Sequence, residues 1–269
     1  MQSKPWRDHA EHPLTAESLQ WLFNNEIACI RVKAFATPAE CAAFVAAMDS
    51  VGLNKEYTVI GPNVKFRPRY IGLPQFEYRK RPKADYFATV EAAYVDQAKV
   101  FAECGFDPLA RLATLVRAAV PGKQVGVAEE PGVGRYYAGI IRETTGGTNL
   151  HMDFSRQTAP GYEIARVDSQ LATNFYASGT EEGGETTMYN FHYDPADYVG
   201  RTVELSPFDP KLVEGREHYT FKPAAGDLIL FNSRCPHRVS WNPRDDGQRR
   251  MGIGSFLGRA PGGDVVMWS

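Results

Sequence analysis

Gly146-Gly147-Thr148-Asn149-Leu150-His151-Met152-Asp153 is the stretch on which the reading of this chain turns. Gly, Thr and Asn mark a turn, and His-Met-Asp follows it. In a β-strand, residues i and i+2 project from one face, so His151 and Asp153 can aim at one spot. A third ligand from another strand would close a triangle of two imidazoles and one carboxylate. Such a set grips a divalent ion from one side and leaves its remaining positions open. The third candidate is His237, late in the chain. There, Gly226-Asp-Leu-Ile-Leu-Phe-Asn-Ser-Arg-Cys-Pro-His237 reads as a turn, a buried strand, a loop and a histidine opening the next strand. Each piece has an ordinary alternative, since His-x-Asp is common in surface loops and a lone His usually ends a sheet edge. The order and surroundings of the pieces argue against chance.

Working outward, the chain divides by texture. Thr15-Ala-Glu-Ser-Leu-Gln-Trp-Leu-Phe opens with a capping Thr and continues at helical spacing. Ile27-Ala-Cys-Ile-Arg-Val reads as a strand, and Thr37-Pro-Ala-Glu starts a second helix with Pro at its first position. Residues 52–82 keep no period and are expected to be ordered but irregular. A long helix is expected from Ala84 to Cys104, ended by Gly105, and Asp107-Pro108 caps another reaching Val120. From Gln124 the texture turns to short strands punctuated by Gly, Asn and Pro: 124–128, 134–141, 170–177, 185–191, 227–231 and 250–257. The expected fold is α+β. A β-sandwich or barrel at 124–258 would be buttressed by a mainly helical 1–123, all in a single domain spanning 1–269.

Composition sets outer bounds. With 269 residues, 43% of them hydrophobic, the chain can bury a full core. A formal charge of −2 and a pI near 6.3 leave no electrostatic footprint for nucleic acid or an anionic membrane, and no apolar run is long enough to span one. The polar N-terminus does not open like a secretory signal. Cys29, Cys41, Cys104 and Cys235 are scattered without a Cys-x-x-Cys pair, which fits a reducing cytoplasm.

Two further motifs stand near the histidines. Glu181-Glu-Gly-Gly-Glu-Thr186 is a tight turn between strands. Gly247-Gln-Arg249-Arg250 leads into the last expected strand. An arginine pointing into a barrel can hold a carboxylate through two parallel hydrogen bonds. Alternation along the strand lets only one of the pair face inward.

Together these elements resemble the Fe(II)/2-oxoglutarate-dependent dioxygenases, in particular their prolyl-hydroxylase-like branch. The resemblance covers roughly residues 124–258. His151-Met-Asp153 looks like that family's His-x-Asp, and Glu182-Gly-Gly-Glu-Thr186 resembles its hairpin. Gly226-Asp-Leu-Ile-Leu-Phe with His237-Arg-Val is similar to the strand leading to the distal histidine. Gly247-Gln-Arg249 resembles the element that anchors the far carboxylate of 2-oxoglutarate. The resemblance implies a double-stranded β-helix (jelly-roll, cupin-like) core, with Fe(II), 2-oxoglutarate and O2 as cofactor and co-substrates. The metal ligands would be His151, Asp153 and His237, a set that keeps positions open on iron. Arg249 would bind the co-substrate, with Arg250 as the fallback and Tyr136 supporting the same carboxylate. Free-standing relatives that halogenate carry Gly in place of the Asp. Asp153 therefore points to hydroxylation or a kindred oxidation such as desaturation.

The expected substrate is a small molecule: an amino acid, an amino-acid derivative or a comparable specialised metabolite. Arg67, Arg69, Arg142 and Arg156 are candidates for holding a substrate carboxylate, Arg156 foremost for its place after His-x-Asp. Phe154, Tyr162 and Phe175 are candidates for the pocket wall, though aromatic residues on strands are more often core. The same core would suit a peptidyl or protein hydroxylase, with 52–82 as a docking lip. A zinc hydrolase or a non-catalytic jelly-roll binder stands further off, because neither needs a carboxylate clamp after the last histidine.

Overall fold

The computed structural model describes residues 4–53, 55–57, 68–144, 146–192, 208–241 and 248–269. Arg67, Gly247 and much of the irregular 52–82 stretch lie outside the described residues.

The helices begin and end where local chemistry dictates. They are α1 Ala16–Phe23, α2 Pro38–Val51, α3 Lys83–Cys104, α4 Pro108–Ala119 and the single turn α5 Ser155–Thr158. Thr37 and Glu40 form a reciprocal cap at α2: the Thr37 hydroxyl accepts from the Glu40 N–H, and Glu40 accepts from the Thr37 N–H at 2.8 Å. Asp107 accepts from the N–H groups of Leu109 and Ala110, both at 2.9 Å, and so starts α4.

The strands are β1 Glu11–His12, β2 Cys29–Val32, β3 Lys55–Glu56, β4 Arg69–Ile71, β5 Val125–Val127, β6 Glu129–Glu130, β7 Gly134–Arg135, β8 Ile140–Glu143, β9 Thr148–His151, β10 Ser169–Tyr176, β11 Thr186–Tyr189, β12 His218–Phe221, β13 Leu228–Asn232, β14 His237–Val239, β15 Met251–Arg259 and β16 Val265–Trp268. The major sheet runs β1-β2-β13-β10-β15-β8-β4-β3, with β16 and β5 branching from β15. The minor sheet runs β12-β11-β14-β9. From β8 to β15 the chain passes repeatedly between the two sheets, so its turns stack on one another. Strands β12 and β16 were not among the expected stretches, and β9, the strand expected to carry both His151 and Asp153, ends at His151. The 1–123 region also adds strands of its own: β2 pairs with β13 and β4 with β8, so the helical part is stitched into both edges of the sheet.

The period of two along each strand sorts side chains between two faces. On the outer face of the major sheet, Leu171, Phe175, Leu228, Leu230, Met251, Ile253 and Leu257 pack against α1, α2 and α4 in the largest core. On the inner face, Phe231 meets the minor sheet, where its ring lies 6.2 Å from Phe221 and 4.9 Å from His237. Among the described residues, no helix is long and apolar enough to cross a membrane.

Candidate metal centre

His237 opens β14 and pairs directly with His151 at the end of β9. Directly paired residues share a face, so both imidazoles point into the space between the sheets, with ring centroids 4.2 Å apart. The turn before β9 demands glycine at 147. Its φ is +74°, and a Cβ there would stand 2.7 Å from the carbonyl oxygen of Val239. Asp153 lies just past the end of β9. Its backbone is fixed by Ser233, whose carbonyl accepts from the Asp153 N–H at 2.9 Å and whose hydroxyl donates to the Asp153 carbonyl at 3.0 Å. Gln170 clamps the same segment, donating to the Asp153 carbonyl at 3.2 Å and accepting from the Ser155 N–H at 2.9 Å.

The donor atoms converge. Asp153 Oδ2 lies 3.9 Å from His151 Nε2 and 3.7 Å from His237 Nε2, and one atom from each residue falls within 4.8 Å of the others. Each imidazole is also oriented from behind. Nδ1 of His151 is 2.7 Å from the carbonyl oxygen of Asn149, and Nδ1 of His237 is 2.9 Å from that of Cys235. A carbonyl can only accept, so each Nδ1 carries a proton, and in the neutral ring this leaves Nε2 to present its lone pair. Burial, and then the charge of His151, hold His237 well below the usual histidine range, which keeps it in the neutral form a metal requires. His151 and Asp153 are partly exposed while His237 is buried, so the triad is open on one side.

Arginine supplies the second feature of this interior. Sequence reading favoured Arg249 as the inward residue, and the structure reverses the pair. Met251 belongs to the outer core, so Arg249, two residues away, shares its face. Arg249 pairs with Glu143 at 3.0 Å and with Asp49 at 2.6 Å. Arg250 takes the inner position, 6% exposed. It donates to the hydroxyls of Thr144 at 2.6 Å and Tyr176 at 3.1 Å, and Gly184 of the Glu-Gly-Gly-Glu hairpin packs beside its side chain. Arg142 and Asn174 share this inner face: Arg142 donates to Asn174 Oδ1 at 2.8 Å.

The other expected residues go elsewhere. Tyr136 is fully buried in an aromatic cluster with Tyr86, Phe87 and Tyr162. Its hydroxyl bonds the Glu130 carboxylate and accepts from the Glu163 N–H, so it supports no co-substrate. Phe154 packs with Leu150 and Met152, which point away from His151 and Asp153, so it is core behind the minor sheet. Arg156 is exposed, with its guanidinium 5.6 Å above the Phe154 ring. Tyr162 and Phe175 are core residues too, and Arg69 pairs with Glu143 on the outer side. Tyr176, Thr144, Asn174, Gln170 and Ser233 escaped sequence reading. For Tyr176 and Asn174 a signal existed: their parity on β10, once Phe175 is assigned to the helix-facing side.

The profile of the family described as carrier-protein-independent halogenase WelO5 matches residues 10–269. The chain belongs to this family. The likeness to Fe(II)/2-oxoglutarate-dependent oxygenases read from the four ordered motifs is thereby borne out. An L-gamma-glutamyl-L-propargylglycine hydroxylase of Streptantibioticus cattleyicolor is 37% identical over 134 residues, which is 49% of this chain and 48% of the hydroxylase. The chain thus matches about half the length of that relative. The leucinostatins biosynthesis cluster protein S of Purpureocillium lilacinum is 28% identical over 208 residues, covering 74% of this chain and 84% of that protein. Among solved structures, an N-substituted L-amino acid dioxygenase from Burkholderia ambifaria superposes with a TM-score of 0.55 at 16% identity, covering 94% of this chain and 91% of its own. At that identity the likeness speaks to the fold, and it agrees with the two-sheet winding described above.

Proposed function

We propose that this protein is a non-haem Fe(II)- and 2-oxoglutarate-dependent oxygenase that hydroxylates an unactivated C–H bond of a small molecule, an amino acid or amino-acid derivative foremost. The two-sheet core is read as the double-stranded β-helix expected from the sequence. The observation that carries the reading is the convergence of His151, Asp153 and His237 on one point, with a buried arginine on the inner face of the facing sheet. Names of relatives support the substrate class: one hydroxylates a γ-glutamyl amino acid, and another is an L-isoleucine 3(1)-dioxygenase.

The residues present fit the groups the reading requires. Two imidazoles with their Nδ1 protons committed elsewhere and one carboxylate form a donor set for Fe(II). The Thr186 hydroxyl is buried and has no hydrogen-bond partner among the described residues, and it lies on the inner face two residues from Gly184. A carboxylate on Arg250 would give that hydroxyl an acceptor. When bound, iron with 2-oxoglutarate and dioxygen supplies the oxidation, releasing succinate and carbon dioxide. The chain's own part is placement. Ser233 and Gln170 hold Asp153, backbone carbonyls set the two imidazoles, and Arg250 fixes the distal end of the co-substrate. Although the family takes its name from a halogenase, Asp153 would give the metal a carboxylate where a halide would need an open position, so hydroxylation is the expected outcome.

The test is spectroscopic. Under nitrogen, Fe(II) and 2-oxoglutarate should give a visible charge-transfer band, and air with the right substrate should yield succinate in step with product. No band at saturating concentrations would remove the basis for the assignment.

A further inference from the structure

Arg142 is a cation that the proposed chemistry has not yet used. It stands on β8, and its strand partner Gly252 and the diagonal neighbour Gly254 carry no side chains to fill the inner face. Its guanidinium is held by neutral groups: Asn174 Oδ1 at 2.8 Å and the Tyr57 hydroxyl. Among the described residues, no acid lies within ion-pair distance of it. The charges of Glu77 and Asp153 both act on the same Tyr57 hydroxyl, and the charge of Arg142 in turn reaches His237 and Arg250. Two guanidinium groups therefore share one interior with the metal triad. A half-buried cation beside another cation calls for an anion.

The strand is also shaped around this arrangement. A Cβ on Gly254 would stand 2.7 Å from Arg142 Nη2 and 2.7 Å from Asn174 Oδ1, inside any real contact distance. Only glycine at 254 leaves the Arg142–Asn174 pair where it is. The fork is thus fixed in direction before any ligand arrives, which is what a recognition group needs.

We propose that Arg142, oriented by Asn174 and Tyr57, is a second carboxylate-binding position of the interior, separate from Arg250. The inference rests on the oxygenase reading for its two sources of ligand. One is the metal-proximal carboxylate of the 2-oxo acid. The other is a carboxylate of the primary substrate, which would make that substrate a free acid rather than an ester or amide.

Three variants test it: Arg142→Met, Arg142→Lys and Gly254→Ala. Affinity for 2-oxoglutarate is read from the anaerobic charge-transfer band, and independently of iron from ligand-induced shifts in melting temperature of the metal-free protein. The second ligand set is a panel of free and N-acylated L-amino acids beside their carboxamides, scored by the same two readouts. If the site takes the co-substrate, Arg142→Met weakens 2-oxoglutarate by about 10- to 100-fold, the range for losing a hydrogen bond to a charged group. If it takes the primary substrate, 2-oxoglutarate affinity stays within about twofold, and the acids that act on wild type while their amides do not lose their effect. Arg142→Lys keeps the charge without the fork and falls between, and Gly254→Ala, which displaces the fork, weakens the same ligand. The inference is overturned if Arg142→Met keeps 2-oxoglutarate affinity within about twofold and no acid of the panel distinguishes it from wild type. A missing band in wild type would count against the oxygenase reading alone, because the melting shifts still report carboxylate binding.

Discussion

The two faces of the major sheet are built from the same strands, one residue out of step, and they do opposite work. The outer face carries Leu171, Phe175, Leu230, Met251 and Ile253 under the helices. The inner face carries Arg142, Asn174, Tyr176, Gly252, Gly254 and Arg250. Apolar burial on one side gives the stability against which charged groups can be held on the other. The comparison is sharpest at Arg249 and Arg250, chemically identical neighbours whose surroundings are set by parity alone.

Breaking the inner side at its centre should have the largest effect. Asp153→Gly removes one of three converging donors, and hydroxylation should fall by at least about 100-fold, beyond what loss of a supporting group around a metal costs. Product and succinate assays decide it, and unchanged hydroxylation would mean that Asp153 is not a ligand. Next comes the arginine pair. Arg250→Met should weaken 2-oxoglutarate by about 30-fold, whereas Arg249→Met should leave it within about twofold. Titration of the charge-transfer band checks both, and equal losses would erase the distinction between the faces. On the outer side, Ile253→Val should cost roughly 1 kcal/mol of stability in denaturant unfolding and leave 2-oxoglutarate affinity unchanged.

What could be read from sequence follows the same division. The convergence of His151, Asp153 and His237 was legible because these residue types stand out within ordered motifs. The helices were legible because Thr37 with Glu40, Asp107 with Pro108, and Gly105 announce their own ends. Parity was not legible at Arg249-Arg250, since both residues tolerate either face and the answer depends on Met251 meeting helices far away in the chain. Tyr136 misled for a related reason. A tyrosine ahead of His-x-Asp looks alike whether its hydroxyl meets a co-substrate or, as here, Glu130. Strand β12 was missed because its residues, His218-Tyr-Thr-Phe221, bury only at their end.

The smallest effect concerns what Arg249 does on the outside. Glu143 is buried, which by itself would push its carboxyl up. Hydrogen bonds from Arg249 and Arg69 outweigh this and hold it below the ordinary glutamate value. A carboxyl lowered in the folded state contributes stability above its unfolded value, about 4.3, and loses that contribution as pH falls through the lower folded value. Arg249→Met removes one arginine from Glu143 and leaves it Arg69, which is 42% exposed. The variant should therefore be less stable than wild type at neutral pH by about 1 kcal/mol, with water and salt screening part of the loss. That gap should narrow as the pH is lowered below about 4, where Glu143 protonates in both proteins. Urea unfolding at a series of pH values measures it. A gap that stays constant into acid would mean that Arg249 stabilises by packing alone and that its charge on the outer face is incidental.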